Sequence, residues 1–174
     1  MDLAELLARL AEGDRAFAGI VLEGVDLAGV NLRSRDLRGS RWTLVDLRGA
    51  DLANADLGGA ILDQVSLRGA HLTRTVLAGA TLTHCDLVGA NFHAANLRGV
   101  RCVGVALRGA QLVGADLRDA GLMGINLQGA NLARADLRGA DLRGADLAQV
   151  LAPGADFRGA KLGGRPVPAG GIGG

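Results

Sequence analysis

Residues 130–144 read ANLAR ADLRG ADLRG, three copies of one five-residue unit, and most of the chain repeats that unit. A large apolar residue recurs at nearly every fifth position from Phe17 to Leu162, without an insertion or deletion, which makes thirty pentads over residues 15–164. We call this position the centre of its pentad. A period of five fits neither the turn of a helix nor the alternation of a strand, so the chain must turn once per pentad. The sequence therefore predicts a solenoid.

A slower rhythm of ten residues indicates how many sides each coil has. Glycine follows the centre by two in thirteen of the fifteen odd-numbered pentads, but in only seven of the fifteen even-numbered ones. Alternate sides therefore differ, and their number is even. Two sides cannot enclose a core and six leave a hole too wide for leucine, so we expect four. Thirty pentads then form about 7.5 coils, a rod roughly 36 Å long at the usual strand spacing.

The pentad motif, as in ADL at residues 115–117 and ANL at residues 130–132, resembles the pentapeptide-repeat family over 150 of the 174 residues. The resemblance implies an all-β fold, a right-handed, four-sided parallel β-helix. In that fold the centre and the residue two before it point inward, and the other three positions face solvent. It also implies that some relatives protect or inhibit DNA gyrase by imitating duplex DNA, while most have no known activity.

Three segments follow from these registers: an N-terminal helical cap at 1–14, the β-helix at 15–164, and a flexible tail rich in glycine and proline at 165–174. In the cap, leucines at helical spacing predict a short helix that covers the open end of the first coil, and Asp2 is placed to cap its start. The structural core is predicted to include these leucine centres: Leu27, Leu47, Leu67, Leu87, Leu107, Leu127, Leu137 and Leu147.

Charge and composition argue against several classes of function. With 19 basic and 18 acidic residues, no net field attracts the chain to nucleic acid or to a membrane. A DNA mimic needs an acidic surface, yet in the odd pentads eight arginines directly after the centre accompany nine aspartates directly before it. No apolar run is long enough to span a bilayer and no signal peptide is recognisable, so the expected location is cytoplasmic.

No residues converge on a catalytic, cofactor or metal site. The chain has three serines and no tyrosine, and we expect neither enzymatic activity nor a cofactor. His71 and His93 are diagonal neighbours on one side without further ligands, which favours surface histidines over a metal site. Cys85 and Cys102 occupy inward registers, which favours reduced apolar fillers over a disulfide.

The second and third coils depart most from the pattern. Arg35 stands at an inward position, Trp42 replaces a leucine centre, and Leu44 stands where glycine or a polar residue is usual. A local swelling or bulge is expected there, and imperfect packing and a ligand notch beside Trp42 remain the two interpretations.

The function that remains is a rigid, non-catalytic interaction module with an unidentified protein partner. One even side carries outward residues that are either ordinary β-formers or a partner-docking strip: Val21, Ile61, Thr81, Val103 and Met123. The alternative, which rests on the family resemblance, is a protein that protects DNA gyrase or topoisomerase against fluoroquinolones or toxins.

The C-terminal end predicts a possible weak homodimer. Leu151 points outward, and Phe157 and Leu162 belong to a last coil that only glycine- and proline-rich sequence follows. An end-on two-fold contact would bury this small surface. The competing hypothesis is that Val167 and Ile172 fold back over the end and leave a monomer.

Overall fold

The computed structural model describes residues 3–171 and residue 173 and forms a parallel β-solenoid. Backbone pairing joins each position to the residue twenty further along the chain. One such ladder passes in order through Val21, Arg41, Ile61, Thr81, Arg101, Gly121, Asp141 and Lys161. Twenty residues are four pentads, so the predicted four-sided β-helix class is confirmed.

Within the described residues, the regular elements are one helix and five short strands. Helix α1 comes first, and the strands form one parallel sheet in the order β1-β2-β3-β4-β5. Their bounds are α1 (Leu3–Ala11), β1 (Val21–Glu23), β2 (Arg41–Thr43), β3 (Ile61–Asp63), β4 (Thr81–Thr83) and β5 (Arg101–Val103).

The four sides of the coil carry different side chains, and we name them by their pentads. The strand face contains the pentads that begin at residue 20 and every twenty residues thereafter, including all five strands. The two charged faces begin at residues 15 and 25, and the fourth face begins at residue 30, with the same step. Outside the strand face, neighbouring coils pair through isolated bridges.

The centre of a typical pentad takes part in two backbone hydrogen bonds, one that closes the turn of its own pentad and one that joins it to the next coil. The Leu47 carbonyl accepts from the Ala50 N–H at 3.0 Å and closes the turn, while the Leu47 N–H donates to the Ser66 carbonyl of the next coil at 2.7 Å. The residue two after the centre adopts a left-handed conformation, with φ of 62° at Gly39 and 59° at Asn54. Glycine tolerates this region best, which explains why it occupies twenty of the thirty positions two after the centre.

The core has the predicted composition. Seven of the eight leucine centres predicted as core are at most 4% exposed, and Leu147 is half-buried because no complete coil stacks above it. The centres that are not leucine or phenylalanine also point inward: Trp42, Cys102 and Ala152.

The bulge predicted near Trp42 is not found. Leu22, Trp42 and Leu62 pair in register across β1, β2 and β3, and the Trp42 side chain is 1% exposed. Ladder hydrogen bonds on both sides of β2 hold the backbone in line while the ring enters the core. The departure from the regular pattern lies in the hydrogen bonding. Three buried side-chain atoms have no hydrogen-bond partner among the described residues: Trp42 Nε1, Ser40 Oγ and Arg35 Nε. Each such group lowers the stability of the fold.

Helix α1 covers the first coil through its leucine stripe. Leu6 is fully buried, whereas Leu7 is 45% exposed. Arg9 fixes the end of the helix, because its guanidinium hydrogen-bonds to Asp14 and lies 4.8 Å from the centroid of the Phe17 ring. Asp2, the predicted capping residue, lies outside the described residues.

The C-terminal segment lies against the last coil. The Gly154 N–H donates to the Gly170 carbonyl at 2.7 Å, and Val167 packs half-buried against the core. Phe157, predicted as part of a dimer end, is therefore only 2% exposed. Of the other two residues predicted there, Leu162 is half-buried and Leu151 is 60% exposed. Ile172 lies outside the described residues.

Ion pairs cover the charged faces. Arg138 contacts Asp136 of its own pentad, with 2.7 Å between Nη2 and Oδ2, and its Nε lies 3.7 Å from Oδ2 of Asp156 in the next coil. Arg118 repeats this arrangement one coil earlier, with Asp116 and Asp136. The two charges thus alternate along the stack and neutralise each other.

The aspartates in these pairs are stronger acids than usual. The hydrogen bond from the Arg158 side chain is the main cause that lowers the pKa of Asp156 to about 2, and Arg38 has the same effect on Asp36. The carboxylates also accept from backbone, as when Asp136 Oδ1 receives the Arg138 N–H. Each of these contacts favours the charged form of the acid.

Truncation of a buried centre should cost far more than loss of a surface arginine. We expect Leu137→Ala to lower the free energy of unfolding by about 2 to 5 kcal/mol, because Leu137 is 0% exposed. Arg138→Ala, its neighbour on the surface, should change it by less than about 1 kcal/mol. Denaturant titrations measure both, and the reverse ranking would contradict the register.

The helical cap should depend on Leu6 and not on Leu7. Leu6→Asp places a charge in the contact between α1 and the first coil, so α1 should detach and expose an apolar end with unpaired strand edges. Light scattering should then show oligomers, and the melting temperature should fall. Leu7→Asp is the control on the exposed side of α1, and equal behaviour of the two variants would refute the cap.

The ion pairs should stabilise the fold at neutral pH and lose that effect in acid. A carboxyl whose pKa is lowered in the folded state contributes above its unfolded pKa, near 3.9, and the contribution disappears as pH falls through the folded value. Asp156→Asn should therefore melt below the wild type at about pH 5, and the gap should close toward about pH 2. A gap that persists at the lower pH would exclude the pair with Arg158 as its cause.

Candidate protein-interaction surface

The strand face carries most of the residues predicted for partner docking at its surface. Val21 is 58% exposed, Ile61 37%, Val103 59% and Met123 60%, while Thr81 is half-buried. The pairing of β1 to β5 brings them onto one face. Val21, Ile61 and Thr81 lie on the ladder before the centre, and Val103 and Met123 lie at the register after it. Because neighbouring rungs of a parallel sheet are about 4.8 Å apart, these side chains form two adjacent columns along the solenoid axis.

One apolar member of this face was not among the predicted residues. Leu44 follows β2, is 54% exposed and has a φ of 55°. Seven large hydrophobic side chains are exposed within the described residues, and five of them lie on the strand face. The other two are Leu7 on α1 and Leu151 on the fourth face.

The strand face also differs from the charged faces in its electrostatics. On the charged faces, arginines such as Arg118 and Arg138 pair with aspartates of their own or the next coil. On the strand face, Arg143 pairs with Asp141, but Arg41 and Arg101 form no ion pair with any described residue. This face therefore combines exposed apolar side chains with unpaired positive charges.

A depression lies near the C-terminal half of the strand face. Its volume is about 310 Å³, and its lining includes Val103, Gly121 and Met123. Gly121 pairs with Arg101 on one side and with Asp141 on the other. Since Gly121 has no side chain, the column of side chains before the centre is interrupted at this rung, while Met123 stands in the column after the centre.

The fourth face carries two of the three histidines at its surface, His71 and His93, whereas His84 follows β4 on the strand face. His71 borders an open depression of about 350 Å³ together with Arg33, Asp51 and Arg74. The Arg33 guanidinium is 3.0 Å from Asp51 and therefore neutralises it. His93 lies one coil further along, and among the described residues no three metal-ligating side chains are grouped to hold an ion.

Both cysteines are buried thiols without a disulfide. Burial raises the pKa of Cys85 to about 11 and that of Cys102 to about 12. The thiolate is the reactive form of cysteine, so neither side chain is prepared for nucleophilic chemistry at neutral pH.

Two features of this surface are harder to predict from the sequence: the interruption at Gly121 and the absence of an ion-pair partner for Arg101 among the described residues. Gly121 is the only glycine at the position before the centre in thirty pentads, which marks the interruption. Nothing in the pentad shows that Arg101 lacks an ion-pair partner, because that depends on the coils above and below. No helix within the described residues has the length and apolar character to cross a bilayer.

Among the solved structures that resemble this fold are those of QnrB1 and HetL. A trypsin-treated variant of QnrB1, a plasmid-mediated fluoroquinolone resistance protein, is 22% identical, with 92% of this chain and 86% of that chain covered and a TM-score of 0.73. HetL, a pentapeptide repeat protein involved in heterocyst differentiation regulation from the cyanobacterium Nostoc sp. strain PCC 7120, is 29% identical. The alignment covers 99% of this chain and 92% of HetL, with a TM-score of 0.54.

The sequence itself gives the family. No curated protein sequence is significantly similar to the chain. The family profile for pentapeptide repeats matches residues 26–64, 60–99, 85–122 and 120–164, with eight copies. These segments cover most of the solenoid, and their pentads supply its inward leucines and its turns. The chain belongs to the pentapeptide repeat family.

Proposed function

We propose that this protein is a non-catalytic, rigid interaction module that binds a protein partner through its strand face. The observation that carries the proposal is the concentration of exposed apolar side chains on that one face. An exposed apolar patch on a soluble protein is typical of an interaction site. Pentapeptide repeat proteins are generally structural or interaction modules, which agrees with this function.

Strand propensity alone does not account for these side chains. Val21 and Ile61 lie in strands, where β-branched residues are common. Leu44, by contrast, has a left-handed backbone that disfavours a bulky side chain, and Met123 lies in a turn pentad beyond β5. The left-handed backbone at Leu44 reduces the stability of the free protein, and the exposed part of the side chain gains nothing from burial in return, so a role in binding explains its presence better.

The same surface gives no support for catalysis. The thiols are buried, and Ser40 is fully buried as well. His71 and His93 lie on the opposite, fourth face, whereas His84 lies on the strand face, with 3.9 Å between its Nδ1 and Oδ1 of Asp63. Docking needs only a rigid surface of matching shape, which a stack of hydrogen-bonded coils provides.

Gyrase or topoisomerase protection is the alternative function. This alternative is suggested by the similarity in fold to QnrB1, a fluoroquinolone resistance protein. At 22% identity, that similarity concerns the fold alone. A mimic of duplex DNA needs a surplus of negative charge, whereas arginine neutralises aspartate along the charged faces. The fourth face has a single acid, Asp51, against three arginines.

Photo-cross-linking by face tests the proposal. A photoreactive amino acid at Ile61 or Val103 should give a discrete covalent adduct with a partner in the native cells. Placement at Arg68 or Arg98 on the charged faces, where the side chains are 55% and 57% exposed, should give none. Adducts only from the charged faces, equal adducts from all faces, or no adduct at all would overturn the proposal.

A supercoiling assay separates the two functions. Purified protein is added to DNA gyrase with and without a fluoroquinolone. An effect on either reaction that survives Val103→Asp would favour the gyrase alternative over docking through the strand face.

A further inference from the structure

The backbone does not require a glycine at position 121, where the depression lies. A Cβ built on Gly121 would meet only the Val100 carbonyl oxygen at 3.6 Å and the Arg101 Cα at 3.9 Å, both ordinary van der Waals distances. The φ of Gly121 is also outside the left-handed region that requires glycine. A larger residue would fit and would restrict the unfolded chain. The fold therefore gives no reason for glycine here.

The walls of the depression are mainly apolar. Its lining includes Val103 and Met123, which are 59% and 60% exposed, and Cys102, which is 7% exposed. A volume of about 310 Å³ has room for an apolar side chain or a small aromatic group. Such a group would cover surface that is otherwise open to water.

One charged side chain without an ion-pair partner among the described residues, that of Arg101, lines this apolar depression. Two side chains with charges line it, Arg101 and Asp141. Asp141 is bound by Arg143, with 2.6 Å between Oδ2 and Nη2, and this hydrogen bond lowers its pKa to about 2. Arg101 forms no hydrogen bond or ion pair with any described side chain. A ligand that neutralises the remaining positive charge of Arg101 would therefore carry a single negative charge.

We propose that the Gly121 depression receives an apolar side chain of the protein partner, next to an acidic residue whose carboxylate binds Arg101. This assignment rests on the proposed function, since it gives the chemistry of the partner segment that the strand face would bind. Arg101 presents several N–H donors in a planar fork that matches a carboxylate. The apolar group supplies burial, and the carboxylate fixes its orientation.

Two related dyes test this chemistry without knowledge of the partner. Anilinonaphthalene sulfonate joins an apolar aromatic body to an anion, and phenylnaphthylamine has the same body without the charge. We expect both to bind with enhanced fluorescence, the sulfonate more tightly. Gly121→Val should abolish binding of both dyes at this site, with a melting temperature no lower than that of the wild type.

The charge is tested separately with matched arginines. Arg101→Gln should weaken the sulfonate dye on the order of tenfold, the effect of losing a hydrogen bond to a charged group, and should leave the neutral dye unchanged. Arg41→Gln is the control, because Arg41 occupies the same ladder position four rungs away from Gly121 and is equally unpaired. It should change neither dye.

Three results would overturn the inference. They are unchanged dye binding in Gly121→Val, equal weakening by Arg41→Gln and Arg101→Gln, and absence of binding by the wild type. These outcomes are distinct from failure of the docking proposal. Cross-links from Ile61 or Val103 together with a negative dye result would keep the strand face and remove only the Gly121 site.

Discussion

The fold depends on the stacking of each coil on the next in a fixed register of twenty residues. The centre of every pentad must point inward while its N–H reaches a carbonyl one coil further on, as from Leu37 to Asp56 at 2.7 Å. A slip of one residue would move the leucines to the surface and the aspartates to the core. Both the hydrophobic and the hydrogen-bonding contributions therefore select the same register.

This constraint occupies only two of the five positions in a pentad. The outward positions are free to differ between sides, and they do. On the charged faces, pairs such as Asp136 and Arg138 neutralise each other, contribute little individually and keep the surface polar. On the strand face, Leu44 and Met123 are exposed although neither is required for the coil. Exposed apolar side chains that the fold does not require indicate where a partner would bind.

The sequence predicted the solenoid, its inward leucines and the outward registers of Val21, Ile61, Val103 and Met123, because each follows from counting by five. It did not predict the packing of Trp42. The ladders on both sides of β2 keep the backbone straight, and the cost falls on buried polar atoms instead of on a bulge. The unpaired state of Arg101 and the depression at Gly121 also lay beyond it, because both depend on coils twenty residues away.

The sequence by itself thus determined the period, the number of sides, the core and the family, since all of these are properties of a repeat read along one chain. Only the tertiary structure decided how the ends are covered and which outward residues lack a partner. The C-terminal segment lies over Phe157 through contacts such as that of Gly170 with Gly154, which no repeat encodes. The physical reason is that a pentad specifies its own turn and burial, whereas surface chemistry arises between residues on separate coils.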